Sequence, residues 1–322
     1  MTNILVTGCA GFIGWKVSEK LLKENIQVIG VDNLNDYYDP RLKEWRLNSL
    51  KEDKNFSLRV IDISEYKHVR KLFSEHPVDA VINLAARAGV RSSVENPWVY
   101  LDTNVQGTLN LLECCKTFGV KKFVLASTSS IYGLKEVPFS EGDQTDTPLA
   151  PYSATKKGAE VLCYTYHYLH GIDISIPRYF TVYGPAGRPD MSIFLFIKKI
   201  DNGLPITVFG DGRQKRDFSY IDDIADGTLK CLQPCGYEIF NLGSDNPVEL
   251  MYVINLIEDV LKKRASIEFL PRHPADVPAT WANIEKSKER LNWSPKTTIE
   301  DGIKKTVAWY LENKEFINSL KE

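Results

Sequence analysis

A glycine-rich turn between a short apolar run and a helix constrains the fold of this chain more than any other feature. Residues 3–7 have the composition of a buried strand, and a helical spacing of apolar residues begins at Val17. Glycines at the spacing G-x-x-G-x-x-G permit a tight turn, close approach of backbone N–H groups to a pyrophosphate, and close packing of helix on strand. We therefore predict a strand–turn–helix unit that binds a dinucleotide. The residues expected at the cofactor are Gly8, Gly11, Phe12, Ile13 and Gly14.

An acidic residue at the end of the next apolar run supports this prediction. Residues 27–31 are predicted to form a second strand, and Asp32 follows them directly. A carboxylate at this place accepts hydrogen bonds from both ribose hydroxyls of a dinucleotide. It also repels a 2′-phosphate, so NAD is favoured over NADP.

The rest of the chain continues the alternation of strand and helix. Further strands are predicted at residues 56–62, 80–84, 122–127, 172–179 and 240–243, and helices near 65–75, 98–118 and 152–170. This rhythm predicts an α/β fold, a Rossmann-like doubly wound parallel sheet. Beyond residue 180 prolines punctuate shorter elements. We expect a Rossmann domain of residues 1–179 and 217–243, and a smaller mixed α/β substrate domain of residues 180–216 and 244–322.

Composition excludes several classes of protein. The 322 residues carry a net charge of −2, which gives no reason to expect a nucleic-acid or membrane partner. No apolar run reaches 18 residues, and the first strand begins too early for a signal peptide to precede it. The six cysteines and five histidines have no metal-ligand spacing. We therefore expect no metal, and a cytoplasmic protein whose cysteines are mostly reduced and buried.

A tyrosine and a lysine separated by one helical turn are the first candidates for catalysis. Tyr152 and Lys156 lie in a predicted helix, on the same face. A phenol with a pKa near ~10 is a weak base at neutral pH, but an adjacent ammonium stabilises its phenolate. Tyr152 is therefore a candidate proton acceptor for a substrate hydroxyl.

Together these motifs resemble those of the extended short-chain dehydrogenase/reductase family over nearly the whole chain. The matching residues are Gly8, Gly11, Gly14, Asp32, Asp62, Ile63, residues 83–86, Asn104, residues 127–129, Tyr152 and Lys156. Within that family the chain looks most similar to the UDP-glucuronate 4-epimerases. That similarity is carried by residues 32–38, 88–91, 216–223 and 276–281, and above all by Tyr-Gly-Pro-Ala-Gly-Arg-Pro-Asp-Met at 183–191.

The resemblance implies a cofactor role for further residues. In such a protein Asp62 and Ile63 would contact the adenine, and Lys156 would bind the nicotinamide ribose. The other positions that it assigns to the NAD site are Asn33, Leu84, Ala85, Ala86 and Asn104, and Asn104 would support the local backbone there.

It also implies the substrate residues. Tyr152 would take the proton from the C4 hydroxyl of the sugar, and Thr128 would hydrogen-bond the same oxygen. Arg216 would bind the diphosphate and Asp276 the uridine ribose. Arg188 would pair with the C6 carboxylate of a uronic acid, a pairing that suits a guanidinium. The hydroxyls expected around that carboxylate are those of Ser129, Ser130 and Thr181.

The sequence departs from the pattern of related galactose-type epimerases before Asp276. His273 occupies a place where those enzymes have a phosphate-binding arginine, and Arg272 is a substitute of unknown direction.

The reaction implied is NAD-dependent epimerisation of UDP-glucuronate to UDP-galacturonate through a 4-keto intermediate. The alternatives are a UDP-glucuronate decarboxylase that makes UDP-xylose, a neutral UDP-hexose 4-epimerase, and a non-catalytic NAD-sensing protein. A 4,6-dehydratase is disfavoured because Ser129 and Ser130 follow Thr128 where such enzymes have Asp-Glu.

The family resemblance also implies a homodimer. The helices near 98–118 and 152–170 would form a four-helix bundle between subunits. The apolar residues Leu109, Leu111 and Leu112 are consistent with that bundle and equally with the core.

Overall fold

The structure is a computed structural model that describes residues 2–271 and 276–321. Its strands are β1 (Asn3–Thr7), β2 (Gln27–Asp32), β3 (Phe56–Val60), β4 (Ala80–Asn83), β5 (Lys122–Leu125), β6 (Ser127–Thr128), β7 (Asp173–Tyr179), β8 (Thr181–Tyr183), β9 (Ile206–Phe209), β10 (Lys215–Arg216), β11 (Phe218–Tyr220), β12 (Tyr237–Leu242), β13 (Val248–Glu249) and β14 (Ile267–Leu270). Its α-helices are α1 (Phe12–Lys23), α2 (Pro40–Lys51), α3 (Tyr66–Glu75), α4 (Val90–Glu95), α5 (Trp98–Tyr100), α6 (Gly107–Phe118), α7 (Pro151–His170), α8 (Ser192–Asp201), α9 (Ile221–Lys230), α10 (Leu250–Leu261), α11 (Glu285–Leu291), α12 (Ile299–Glu312) and α13 (Lys314–Ser319).

The central sheet confirms the predicted fold class. Its strands follow the order β3-β2-β1-β4-β5-β7-β12, and every pair in it is parallel. The short β6 continues alongside β7. Strands of such a sheet are buried on both faces, which explains their near-continuous apolar runs.

The helices observed at 66–75, 98–118 and 151–170 agree with the ranges that the sequence predicts. In α1 the apolar residues Val17 and Leu21 are fully buried, as the spacing predicts. The predicted helix 98–118 is continuous but not uniform, because a π-helical segment, Leu101–Gln106, separates α5 from α6. Such single π turns are common at functional sites. None of the helices in the described ranges is long and apolar enough to cross a bilayer.

The carboxyl-terminal part packs around its own apolar cluster. This cluster joins α8, α10 and α12 with the two-stranded sheet of β9 and β14. The strand β11, which follows the predicted boundary at residue 217, pairs with β8 of the smaller part. Residue Asp217, which is fully buried, accepts backbone N–H groups from Ser244, Asp245 and Ala282, so it ties these segments together.

Candidate active site

A cleft of about 970 Å³ opens at the carboxyl ends of the parallel strands. Neighbouring strands β1 and β4 lead to opposite sides of the sheet, and ligands of open α/β sheets bind at this kind of crevice. The predicted site residues that line the cleft are Gly8, Gly11, Phe12, Ile13, Gly14, Asp32, Asn33, Asp62, Ile63, Leu84, Ala85, Ala86, Thr128, Ser129, Ser130, Tyr152, Lys156, Thr181, Arg188, Arg216 and Asp276.

The glycine turn needs its glycines for two separate reasons. Gly8 has a φ of +69°, and a Cβ there would lie 2.8 Å from the backbone nitrogen of Ala85. At Gly14 a Cβ would lie 2.0 Å from the carbonyl oxygen of Gly8. The turn therefore brings the backbone at the amino end of α1 to the cleft. Unsatisfied N–H groups and the helix dipole at such an end favour an anion.

Asp32 is held in place by its own backbone surroundings. Its carboxylate accepts from the N–H groups of Ala10, at 3.2 Å, and Leu34, at 2.8 Å. The ammonium of Lys43 lies 3.4 Å away, and both side chains are buried. The neighbouring Cys9 is fully buried, and burial, together with the charge of Asp32, raises the pKa of its thiol. Its location supports a packing role rather than a reactive one.

Asp62 follows β3 and lies beside Asn33 at the end of β2. Burial opposes the charge, but hydrogen bonds from Ser64 and Asn33 hold the pKa of its carboxyl below the usual range. The adjoining Ile63 is buried against Gly107, where a Cβ would lie 2.6 Å from its Cδ1. This leaves a carboxylate and an apolar side chain together at one end of the cleft.

Asn104 lies behind the cleft and does not line it. This buried residue of the π-helical segment accepts from the backbone N–H of Arg87 and donates to its carbonyl oxygen. It also donates to Thr155 on α7, at 3.1 Å. Asn104 thus supports the backbone of the segment after β4 and joins it to α7, and it does so from behind the cleft wall.

Tyr152 and Lys156 lie in the first two turns of α7, and both border the cleft. The hydroxyl of Thr128 lies near the phenol of Tyr152. Burial raises the pKa of Tyr152, while the Thr128 hydroxyl and the charge of Arg188 oppose that rise. Burial also lowers the pKa of Lys156 to about 8, against the opposing charge of Glu160. Lys156 is therefore still largely protonated at neutral pH.

Thr128 has two partners. Its Oγ1 accepts the backbone N–H of Ser130 at 3.2 Å, so it caps the 3₁₀ turn of residues 129–132. It also lies 3.1 Å from the Ser130 hydroxyl. The hydrogen bond from Ser130 does not prevent contact between Thr128 and Tyr152, because a hydroxyl can both donate and accept.

Arg188 points along the cleft wall. Its Nε and Nη2 donate to the carboxylate of Asp190 at 3.0 and 2.5 Å. Its guanidinium carbon lies 5.6 Å from the ring centre of Tyr37. A guanidinium has five N–H donors, so pairing with Asp190 does not exhaust its capacity to bind a second carboxylate.

At the far end of the cleft the two sides of the molecule meet. Arg91 of α4 pairs with Asp276 at 2.7 Å, and its guanidinium carbon lies 3.8 Å from the ring centre of Phe209. Arg216 lies on β10 and donates to the carbonyl oxygens of Lys215 and Pro278. The expectation about Arg272 and His273 falls outside the described residues.

Several cleft residues on α2, on α4 and in the segments just before these helices were not predicted as site residues from the sequence. They are Tyr37, Lys43, Arg87 and Arg91, with Arg46 behind the cleft wall. Of these, Tyr37 donates to the carbonyl oxygen of Ala88 at 2.9 Å and has the guanidinium of Arg87 over its ring. Asp39 followed by Pro40 was a readable helix start, and its side chain indeed caps α2.

The chain is similar to known proteins in both sequence and fold. A family model described as GDP-mannose 4,6-dehydratase matches residues 5–306. A UDP-glucuronate 4-epimerase of Thermodesulfobacterium geofontis is 60% identical over 322 residues, 100% of both chains.

Two solved structures have nearly the same fold. The UDP-glucuronic acid 4-epimerase of Bacillus cereus, in complex with UDP-glucuronic acid and NAD, is 37% identical with a TM-score of 0.91. That match covers 97% of this chain and 99% of the other. The UDP-glucose 4-epimerase of Thermotoga maritima, with UDP-glucose, is 31% identical with a TM-score of 0.90, and covers 97% of this chain and 100% of its own. The chain therefore belongs to this family of nucleotide-sugar epimerases and dehydratases and, within it, to the UDP-glucuronate 4-epimerases.

Proposed function

We propose that the protein interconverts UDP-glucuronate and UDP-galacturonate by epimerisation at C4 of the sugar, through a 4-keto intermediate. The observation that carries the proposal is the convergence of Thr128, Tyr152 and Arg188 in one cleft whose other end is the glycine turn. A proton acceptor, a hydroxyl partner and a cation for a carboxylate are the groups that this reaction needs.

The residues fit NAD as the cofactor. The glycine turn at the amino end of α1 lines the cleft with backbone, which suits a pyrophosphate, and the fixed carboxylate of Asp32 suits a ribose. Asp62 and Ile63 suit the adenine, Leu84 to Ala86 the underside of the cofactor, and Lys156 the nicotinamide ribose. When bound, NAD accepts a hydride from C4 and returns it, so the reaction has no net redox change.

The proton at the C4 hydroxyl is assigned to Tyr152. The phenol receives it while Thr128 hydrogen-bonds the same oxygen, and gives it back when the carbonyl is reduced. A protonated Lys156 one turn away lowers the free energy of the phenolate. The pKa of Lys156, about 8, keeps this charge present at neutral pH.

The carboxylate at C6 is assigned to Arg188 with Ser129, Ser130 and Thr181. The oxidised sugar is a β-keto acid, which loses carbon dioxide readily. Charged hydrogen bonds that hold the carboxylate in one orientation would restrain this cleavage. Arg216 is assigned to the diphosphate, and Asp276 to the uridine ribose.

The binding of uridine has a consequence at the far end of the cleft. Asp276 already accepts from Arg91, so a ribose would share or displace this ion pair. Partly exposed pairs of this kind contribute little stability, about 0–1 kcal/mol, and exchange easily.

One observation favours a second candidate, a neutral UDP-hexose 4-epimerase. The Asp190 carboxylate already offsets the charge of Arg188. If that pair persists with substrate bound, a hydroxymethyl at C6 would be accepted more readily than a carboxylate.

The direct test is to incubate the purified protein with UDP-glucuronate, and separately with UDP-glucose, and to identify products by NMR and mass spectrometry. The proposal expects UDP-galacturonate with little UDP-pentose. UDP-xylose as main product would instead establish the decarboxylase, and turnover of UDP-glucose alone the hexose epimerase.

We further propose a homodimer in the cytoplasm. The expected residues Leu111 and Leu112 are in the core rather than at a surface. However, two adjacent helices expose apolar side chains at helical spacing, Trp98 and Leu101 on one and Val161, Tyr164 and Tyr168 on the other. Trp98 is 72% and Tyr168 76% exposed, which is unusual for side chains of this size. Light scattering should give twice the 36.6 kDa chain mass, and a monomer at micromolar concentration would refute the dimer.

The division into two domains is also a proposal. Residues 180–216 and 244–322 would bind the nucleotide sugar, and residues 1–179 and 217–243 the cofactor. The separate apolar cluster around α8, α10 and α12 supports it.

A further inference from the structure

A fully buried arginine lies between two loops of the cleft. Arg46 of α2 has no exposed surface. Its Nη1 donates to the carbonyl oxygen of Ala10, at 3.0 Å, inside the glycine turn. Its Nε and Nη2 donate to the carbonyl oxygen of Ala186 at 3.1 and 2.8 Å, and Nη2 also donates to that of Gly187 at 3.2 Å.

Ala186 and Gly187, whose carbonyl oxygens accept from Arg46, directly precede Arg188 in the chain. Ala186 is fully buried and has a φ of +55°, a conformation that is strained for any residue with a Cβ. A strained backbone persists only where its surroundings hold it. Arg46 stabilises this conformation through the three hydrogen bonds that it donates to Ala186 and Gly187.

A pair of adjacent tyrosines extends the connection. Tyr38 accepts from Nη1 of Arg46 at 2.7 Å, and the next ring, Tyr37, lies beneath the guanidinium of Arg188. Arg46 thus supports Arg188 through its backbone on one side and through these rings on the other.

Burying a guanidinium without exposure to water is costly unless each donor is used. Here the donors join the loop expected at the cofactor phosphates to the loop that carries Arg188. We propose that Arg46 is a positioning residue that sets the place of the Arg188 guanidinium relative to the cofactor loop, and so sets the selectivity for a uronate over a neutral hexose. This inference rests on the proposed role of Arg188.

The first test compares binding, so that it does not depend on turnover. Arg46→Lys keeps the charge but loses the fork that reaches both loops. We expect bound NAD and the affinity for UDP to stay within about two-fold, while the ratio of affinities for UDP-glucuronate and UDP-glucose falls roughly ten-fold. Arg59→Lys is the matched control, because Arg59 also donates to a carbonyl oxygen but lies on the outer strand β3. It should leave the ratio unchanged.

A double-mutant cycle then separates positioning from general packing. If Arg46 acts through Arg188, Arg46→Lys should change the affinity ratio little when Arg188→Ala is already present. Should Arg46→Lys not fold, Tyr38→Phe, which removes one hydrogen bond of Arg46, carries the same test with a smaller fall expected. Equal loss of NAD, UDP and both sugars, or additive effects with Arg188→Ala, would overturn the proposal. If the parent binds UDP-glucuronate but does not epimerise it, the proposed function fails while this affinity comparison stands.

Discussion

The two ends of the cleft are built in different ways. At the cofactor end, the turn of residues 8–14 lines the cleft with backbone, and Asp32 is held beside it by backbone N–H groups. At the sugar end, side chains arrive from β6, α7, β8, the loop before α8 and β10. The first kind of site depends on local conformation, whereas the second depends on how distant segments pack. Substitutions at the sugar end should therefore alter the rate and the substrate selectivity, while substitutions at the cofactor end should alter the fraction of protein that has NAD bound.

The largest effect is expected at Tyr152. Tyr152→Phe removes the group that transfers the proton and nothing else, so turnover should fall by about 10²- to 10⁴-fold or more. Bound NAD and affinity for UDP-glucuronate should remain as in the parent, as measured by absorbance and calorimetry. Tyr66→Phe, at an exposed position of α3 outside the cleft, is the control. Activity within a few-fold of the parent would exclude Tyr152 as the base.

Arg188 tests the division of roles within the sugar end. Arg188→Ala leaves the substrate carboxylate without its charged partner, a loss of about 1.5–3 kcal/mol, or roughly ten- to a hundred-fold in affinity or rate. Turnover of UDP-glucuronate should fall by that factor, any activity on UDP-glucose should be spared, and UDP-pentose should form a larger share of the products. Arg213→Ala, at an exposed position outside the cleft, should do none of this. Unchanged handling of the uronate would contradict the role of Arg188.

Asp32 tests the cofactor end in the same way. Asp32→Ala should weaken NAD binding by roughly ten- to a hundred-fold, because a charged acceptor of two hydroxyls is lost. Discrimination against NADP should relax further, since Lys43 at 3.4 Å is then left to attract a 2′-phosphate. Fluorescence titration of stripped protein measures both affinities. Equal affinity of the parent for NAD and NADP would contradict the account.

The smallest effect is on stability. Lys156 is 3% exposed, and its pKa falls from 10.5 in the unfolded chain to about 8. Below pH 8 the ammonium of Lys156 is charged in both states, but in the folded state it is buried away from water. Its burial therefore lowers the free energy of unfolding by at most about 3 kcal/mol. Between pH 8 and pH 10.5 that penalty disappears, because the lysine becomes neutral in the folded state.

Lys156→Met should accordingly raise the melting temperature at pH 7 by a few degrees in NAD-free protein while it abolishes most turnover. The difference in melting temperature should shrink at pH 10. A variant less stable than the parent at pH 7 would show that burial does not dominate at this position.

The contrast between the two ends also explains what the sequence revealed. The glycine turn and the Tyr152–Lys156 pair could be placed at the cleft because each lies within one turn or helix, and Asp32 because it ends the strand next along the chain. Arg46 and Arg91 were not predicted as site residues, because their roles arise only when α2 and α4 pack against segments more than 100 residues away. Helical spacing alone does not tell a core face from an interface, so Leu111 and Leu112 suited either, and they lie in the core.

The most direct measurement of the central claim follows the hydrogen at C4. UDP-glucuronate carrying deuterium at C4 is incubated with the parent enzyme in ordinary water, and the product is analysed by NMR and mass spectrometry. Epimerisation through a 4-keto intermediate that never leaves the cleft predicts UDP-galacturonate with the deuterium retained at C4. Loss of the label to solvent, or carbon dioxide and UDP-pentose as the main products, would contradict the account.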